Sequence, residues 1–111
     1  MRPLLVVSLP LLSLFALAPS GAPPAAPAPD SVWQRLADCE SDGDWHADTG
    51  NGYYGGLQIW PPTWREAGGL RYADRPDRAP RRQQIAVAEE IRRRQGWAAW
   101  AGCARDLGLI H

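Results

Sequence analysis

The amino-acid sequence predicts a small α+β domain built from three to four helices, one short β-hairpin and one disulfide. Three observations predict this class: helical spacing of apolar residues in two segments, an Asn-Gly turn signal followed by aromatic and branched residues, and a single pair of cysteines. The chain has 111 residues. That length allows one small domain with a flanking segment and excludes a multidomain enzyme.

The N-terminal segment has the pattern of a secretory signal peptide. Among the first 29 residues only Arg2 is charged, and an apolar run from Leu4 to Leu17 precedes a stretch of small residues. An uncleaved membrane anchor is the weaker alternative, since a spanning helix needs about 20 apolar residues. We expect a secreted protein that leaves the membrane after signal-peptide cleavage. The sequence does not determine the position of cleavage. The predicted organisation is a signal peptide at 1–22, a Pro/Ala-rich linker at 23–30, a folded domain at 31–104 and a tail at 105–111.

Secretion gives the two cysteines a structural meaning. In an oxidising compartment Cys39 and Cys103 are expected to form a disulfide that ties the first element of the domain to the last. Free thiols and a catalytic cysteine are weaker alternatives, since no histidine stands at a suitable position to activate a nucleophile. The bond closes a loop of about 65 residues and is expected to stabilise the domain by about 4 kcal/mol in the chain-entropy model.

The first helix is expected to begin near residue 31. Ser31 and Gln34 fit a capping box, with Ser31 as the N-cap. Helical spacing places four residues on one face of this helix, namely Trp33, Leu36, Ala37 and Glu40. Glu40 therefore ends an apolar stripe, and we expect its carboxylate to lie on the core side of the helix.

The middle of the chain predicts a hairpin and two further helices. Thr49–Gly52 carries a turn signal, and Tyr53–Ile59 is expected to be a short strand whose glycines allow a bulge or a close approach. A short helix is expected to begin at Pro61, and Gly68-Gly69 is expected to end it. The longest helix is expected over about 80–95, followed by Gly96, with one face formed by Gln84, Ala88, Ile91 and Gln95.

The charge balance restricts the partners and cofactors. Twelve basic residues, all of them Arg, oppose twelve acidic ones, so we expect no nucleic-acid partner. The Arg clusters at 81–82 and 92–94 are expected to form solvated helix faces. Two Cys and two scattered His do not have the spacing of a zinc site, and we expect no metal or other cofactor.

The aromatic residues and one carboxylate indicate carbohydrate chemistry. Six Trp and three Tyr all follow residue 30, more than so small a core is expected to hold. Exposed rings beside polar groups suit the apolar faces and hydroxyls of sugars. Glu40 is the candidate acid, because partial burial raises a carboxyl pKa and favours proton donation to a glycosidic oxygen. A cap or a salt bridge is the commoner role of a Glu at a helix end.

Two segments of the domain are specific enough to carry a family resemblance. They are Cys39–Trp45, which reads CESDGDW, and Thr49–Gln58, which reads TGNGYYGGLQ. With further stretches at 63–64, 68–73, 84–89 and 94–103, they resemble in order the catalytic domain of the actinobacterial resuscitation-promoting factors. The resemblance covers about residues 31–104, nearly all of the predicted domain.

The resemblance implies a lysozyme-like fold that acts on the glycan strands of peptidoglycan, in cell-wall remodelling and resuscitation from dormancy. It implies Glu40 as catalytic acid/base and four substrate contacts, namely Tyr54, Gln58, Thr63 and Gln95. The bond would be the β-1,4 link between N-acetylmuramic acid and N-acetylglucosamine. A lone Glu favours an anhydro-forming lytic transglycosylase, with a hydrolytic muramidase as the alternative. A non-catalytic peptidoglycan-binding or signalling module, and a partnership with a peptidoglycan endopeptidase, also stay open. We expect a monomer associated with the cell wall.

Several positions depart from the family pattern. Asp42 stands where relatives typically have Gly, and Asp44 and Asp48 stand where Asn is expected. Their added negative charge is expected to raise the pKa of Glu40 further, with an open effect on substrate fit. Pro61-Pro62 stands in place of a more polar pair. Ala79-Pro80 stands where relatives have Ala-Thr, so the long helix lacks a hydroxyl N-cap, and we expect Asp77 to substitute for it.

Overall fold

Four α-helices and three 3₁₀ turns build the domain. A computed structural model of the protein describes residues 26–111. The α-helices are α1 (Asp30–Ser41), α2 (Pro61–Glu66), α3 (Arg81–Gln95) and α4 (Ala101–Asp106). The 3₁₀ turns are Gly69–Arg71, Pro76–Arg78 and Gly96–Trp100. None of the helices in this range is long and apolar enough to span a bilayer. The predicted signal peptide lies outside the described residues.

The N-cap of helix α1 is Pro29, two residues before the predicted Ser31, and the predicted capping box is absent. The N–H groups of Val32 and Trp33 donate to the carbonyl of Pro29, and no side chain caps the helix. The amide of Gln34 instead donates to Asp38 Oδ1 at 2.9 Å and accepts from Arg81 Nε at 3.1 Å. The capping-box prediction is therefore wrong, because charged partners compete for the Gln34 side chain and such hydrogen bonds are the stronger ones.

The predicted hairpin is reduced to two isolated antiparallel bridges. Tyr54 pairs with Asp48 on one side and with Ile59 on the other. Between Tyr54 and Ile59 the chain makes a four-residue turn, in which Gly55 and Gln58 have φ of 81° and 50°. The predicted turn at Thr49–Gly52 lies between the partners of the first bridge, and the paired glycines belong to a second turn, between Tyr54 and Ile59. The extended strand expected across them does not form, since a left-handed backbone conformation ends a strand.

Tryptophans form the centre of the core. Trp33, Trp64 and Trp100 are buried, and the half-buried Trp97 lies with its ring centroid 5.0 Å from that of Trp33. The rings of Trp33 and Trp100 are 5.3 Å apart in an edge-on arrangement, which is favourable for aromatic pairs. The Trp100 N–H donates to the carbonyl of Leu57 at 2.9 Å. Part of the aromatic content is thus structural, as the size of the core predicts.

Helix α3 confirms most of the predicted buried face. Gln84, Ala88 and Ile91 are almost fully buried, whereas Gln95 is exposed. The φ of Gln95 is −117°, because the chain leaves the α-helix there and enters the 3₁₀ turn at Gly96. The placement of Gln95 on the inner face is therefore wrong, since helical spacing holds only while the backbone stays helical.

The proposed substitute cap of α3 has another role. No side chain caps α3, and Asp77 accepts a hydrogen bond from Arg75 Nε at 2.7 Å, which lowers the pKa of this carboxyl. Arg75 also pairs with Asp48 at 3.1 Å and lies 4.2 Å above the centroid of the Tyr54 ring. Arg75 thus connects the turn at Pro76–Arg78 to the bridged segments.

The predicted disulfide between Cys39 and Cys103 is present and joins α1 to α4. The segments that precede α1 and follow α4 also pack on the domain. Ala28 donates its backbone N–H to Glu89 Oε1 at 2.8 Å. The residues after α4 that pack partly against the core are Leu107, Leu109 and Ile110. The predicted fold class is confirmed, with four helices, little strand and one disulfide.

Candidate active site

Glu40 lies in the last turn of α1 and is half-buried, as the apolar stripe predicts. The residues that precede it on that face, Trp33, Leu36 and Ala37, are fully buried. Burial raises the pKa of the Glu40 carboxyl above the ordinary value of 4.5. Within residues 26–111 no basic side chain forms an ion pair with it. At any given pH this carboxyl is more often protonated than an exposed one, which suits a general acid.

Glu40 faces a cavity of about 450 Å³. The end of α1 forms one wall, and the segment from the Asn-Gly turn to Gln58 forms another. The start of α4 with the residues before it closes the third side. The lining residues are Glu40, Asn51, Tyr53, Gln58, Ala99, Trp100, Ala101, Gly102 and Cys103. Glu40 is the one carboxyl group among the described lining residues, so any acid chemistry in this cavity depends on it.

Gln58 is held in a strained conformation in the wall opposite Glu40. Its φ of 50° is one of two positive values among the non-glycine residues of 26–111. The side-chain amide donates to the carbonyl of Gly55 and accepts from Asn51 Nδ2, each at 3.2 Å. A non-glycine residue in this region costs about 1–3 kcal/mol and persists where the surroundings fix it. Such strain beside a candidate acid favours a functional role for the Gln58 amide.

A direct link joins the two walls that carry Glu40 and Gln58. The hydroxyl of Ser41 lies 2.8 Å from the carbonyl of Gly56 and 3.1 Å from that of Ala37. A Cβ on Gly56 would collide with the ring of Trp45, so this turn can approach only with glycine at that position. The end of α1 is therefore fixed against the turn that presents Gln58.

The other predicted substrate contacts do not line this cavity. Tyr54 is half-buried, and its ring lies under the Arg75 guanidinium. Thr63 is half-buried in α2, and Gln95 is exposed at the end of α3. The structure thus brings Gln58 together with Glu40 and places Tyr54, Thr63 and Gln95 outside the lining. A role for these three residues in substrate binding stays a prediction.

The sequence pattern does not single out two of the polar lining residues. Asn51 belongs to the turn signal, and its side-chain amide donates to Gln58 Oε1. Tyr53 lines the cavity, whereas the family resemblance implies Tyr54 of the pair. Strand alternation could have separated them, because Tyr54 pairs with Ile59, whose side chain is in the core, so that Tyr53 points the other way.

Three further carboxylates that are close to Glu40 in sequence do not line its cavity. Asp42, Asp44 and Asp48 are exposed, and none of them lines the cavity. Asp42 ends α1 with φ of 56°, and Asp48 pairs with Arg75. The expectation that they raise the Glu40 pKa is not confirmed, because burial accounts for the shift.

A second cavity, of about 580 Å³, is lined by Glu89 and Glu90, whose carboxylates accept hydrogen bonds from neighbouring groups. Glu89 accepts hydrogen bonds from Ala28 and from the Trp33 indole, both at 2.8 Å. Hydrogen bonds from Arg93 and Arg94 lower the pKa of Glu90 to about 2. The Arg cluster of α3 is thus paired with acidic residues of the same helix. Glu90 therefore remains ionised at neutral pH, in contrast to the carboxyl of Glu40, whose pKa is raised.

Among residues 26–111 no group of three or more His, Cys, Asp or Glu side chains is arranged to hold a metal ion. The chemistry available in the cavity is that of one raised-pKa carboxyl, two amides and a phenol.

A profile described as "Transglycosylase-like domain" matches residues 27–103. The chain belongs to this family. Its similar curated relatives are resuscitation-promoting factors. Rpf1 of Corynebacterium glutamicum is 54% identical over 88 residues, which cover 79% of this chain and 46% of Rpf1. RpfB of Mycolicibacterium smegmatis is 47% identical over 79% of this chain and 25% of RpfB. Rpf of Micrococcus luteus is 45% identical over 78% of this chain and 37% of that protein.

These similarities confirm the predicted family, a transglycosylase-like domain of the resuscitation-promoting-factor type. The matched residues include Glu40, the bridged segments and both cysteines. The chain spans between about a quarter and about half the length of the three relatives named.

Proposed function

We propose that this chain cleaves the β-1,4 bond between N-acetylmuramic acid and N-acetylglucosamine in peptidoglycan, with Glu40 as acid and base. One observation carries the proposal: Glu40 is a half-buried carboxyl with a raised pKa in a cavity whose described lining holds no other carboxyl. Membership of the transglycosylase-like family supports the same substrate.

A single carboxyl favours the anhydro-forming route over hydrolysis. Glu40 donates its proton to the glycosidic oxygen, and the bond from C1 of muramic acid to that oxygen breaks through an oxocarbenium-like state. The Glu40 carboxylate then takes the proton of the C6 hydroxyl of the same muramic acid, whose oxygen bonds to C1. No water is consumed. A hydrolase of either stereochemistry would need a second carboxylate about 5–9.5 Å away, and Asp42, Asp44 and Asp48 do not line the cavity.

The test is release of soluble muropeptides from purified peptidoglycan sacculi by wild-type protein and by Glu40→Gln. The amide keeps the shape of the side chain but cannot donate and recover a proton, so release should fall by about 10²-fold or more. Glu66→Gln, at an exposed position of α2, is the matched control and should retain activity. Full activity in Glu40→Gln would remove Glu40 from the mechanism.

The products distinguish the remaining possibilities. By mass spectrometry, 1,6-anhydro ends lack one water relative to reducing ends. Anhydro ends support the transglycosylase route, and reducing ends alone would assign hydrolysis. Retention of the wild-type protein on sacculi with no release would instead assign a binding module. Release only in the presence of a peptidoglycan endopeptidase would assign a partnered function.

We further propose that the protein is secreted and acts at the cell wall in growth resumption. The apolar segment at 1–22 and the relatives named as resuscitation-promoting factors support this.

A further inference from the structure

Two exposed aromatic side chains, Tyr53 and Trp60, flank the bridged turn that presents Gln58 to the Glu40 cavity. Tyr53 is 47% exposed and Trp60 is 52% exposed, although both belong to the hairpin segment that otherwise packs on the core. Tyr53 lines the cavity, whereas Trp60 is not among the lining residues. Neither ring contributes to the buried core. An exposed aromatic ring close to a polar cavity suits the apolar face of a ligand.

The register of the hairpin places these two residues opposite each other. Tyr54 and Ile59 exchange both backbone hydrogen bonds, at 3.1 Å and 3.0 Å. The next pair outward is therefore Tyr53 with Trp60, at a non-hydrogen-bonded position, where Cα atoms approach to about 4.5 Å and side chains lie closest. Alternation puts both on the face opposite Ile59, which is buried. The register therefore places the Trp60 side chain next to that of Tyr53, at the edge of the cavity that Tyr53 lines.

The two prolines after Trp60 fix its backbone. A residue before proline is confined to extended conformations, and Trp60 has φ of −77° and ψ of 139°. Its carbonyl accepts the backbone N–H of Trp64 at 2.9 Å, and the Trp64 side chain is fully buried. Trp60 is therefore presented from an ordered backbone, so that binding to its ring does not have to order the chain first.

We propose that Trp60 is an additional stacking site for a glycan strand, continuing the wall of the Glu40 cavity. It would bind a sugar beyond the pair of residues joined by the bond that is cleaved. The apolar face of a pyranose packs on an indole ring, and its hydroxyls stay in water. The occupant follows from continuity with the cavity, because a polymer whose bond lies at Glu40 extends along the adjoining wall. This inference rests on the proposed function, because cleavage at Glu40 is what places the glycan strand in the cavity and along its wall.

The experiment compares binding in a background that does not turn the substrate over. Glu40→Gln and Glu40→Gln/Trp60→Ala are titrated with soluble uncrosslinked glycan strands and with a peptidoglycan tetrasaccharide. Loss of the indole should weaken binding of long strands by about tenfold, with little change for the tetrasaccharide. Trp60→Phe should retain most of the affinity. Tyr72→Ala, which removes an exposed ring outside the cavity, is the control and should change neither.

Each outcome decides the inference. Equal binding of long strands by the two proteins overturns it, as does an equal loss in Tyr72→Ala. Self-association in sedimentation that Trp60→Ala abolishes would assign the surface to a second copy instead. Because Trp60 is exposed, the thermal unfolding midpoint of Trp60→Ala should match that of the parent, which separates a binding defect from misfolding. Failure of the proposed function shows separately, as no release of muropeptides by wild-type protein while binding is still measured.

Discussion

At the scale of single residues, Glu40 shows how a sequence pattern becomes chemistry. The apolar stripe of α1 predicts that its last member is partly buried, and burial raises the pKa of a carboxyl. The pattern does not predict what shares the cavity with it. Gln58, with its positive φ, and Tyr53 reach the same cavity through a turn whose conformation depends on the neighbours that fix it.

The raised pKa of Glu40 has a consequence for stability. A carboxyl whose pKa is higher in the folded protein than in the unfolded chain favours folding while protonated, and this contribution is lost as the pH rises above 4.5 through the folded value. The difference in unfolding free energy between Glu40→Gln and wild type should be constant below pH 4.5. At neutral pH it should shift in favour of Glu40→Gln, which has no buried charge at this position. Urea unfolding at both pH values measures this.

Glu90→Gln is a control for which the expected change in stability at neutral pH has the opposite sign. Since Arg93 and Arg94 lower the pKa of Glu90 to about 2, its ionised form favours folding, and replacing it should reduce stability at neutral pH. That difference should decrease as the pH falls from 4.5 toward about 2. A Glu40→Gln protein whose stability follows the wild type across the whole range would contradict the assigned burial of this carboxyl.

At the scale of elements, one side chain of α3 organises the loops that carry the site. Gln84 is completely buried. Its Oε1 accepts the N–H of Gly56 at 3.0 Å, and its Nε2 donates to the carbonyls of Trp45 and Ala79 at 2.7 and 2.8 Å. Helical spacing predicts that Gln84 faces inward. The three loop segments that meet there are separate in sequence, so only the packed structure brings them together.

Gln84→Leu should destabilise the domain by about 2–4 kcal/mol, because three backbone groups lose their hydrogen-bond partner and two of these bonds are buried. The free energy of unfolding from urea titration measures the loss. Gln83→Leu, at the neighbouring half-buried position, should change it by about 0.5 kcal/mol or less. Equal effects of the two substitutions would mean that the hydrogen bonds of Gln84 do not hold the loops.

At the scale of the whole molecule, the disulfide joins the two ends of a small domain. Cys39 adjoins Glu40, and Cys103 lines the cavity, so the bond also holds α4 beside the candidate acid. A core of this size provides little surplus stability, which gives the cross-link a large share of the total.

Replacing both Cys39 and Cys103 by Ala should lower the free energy of unfolding by about 4 kcal/mol, since the cross-linked residues are 64 apart in sequence. Denaturant titration under oxidising conditions measures it. Wild-type protein in excess reductant should unfold at the midpoint of the double variant. A loss below about 1 kcal/mol would show that packing of the tryptophans alone suffices.

The sequence by itself determined the fold class, the first three helices, the disulfide pairing and the partial burial of Glu40. These depend on local spacing and on composition, since a helix face repeats every three to four residues and a single pair of cysteines has one partner choice. It also determined the family, through segments whose order in the chain is specific.

The tertiary structure decided which polar groups meet at Glu40 and which aromatic rings stay in water. Tyr53 and Trp60 are exposed and Trp33 is buried, although composition treats all aromatic rings alike. The exposure of Gln95 and the strained turn at Gln58 follow from where the backbone leaves regular geometry. These features depend on contacts between segments distant in the chain, for which sequence spacing carries no periodic signal.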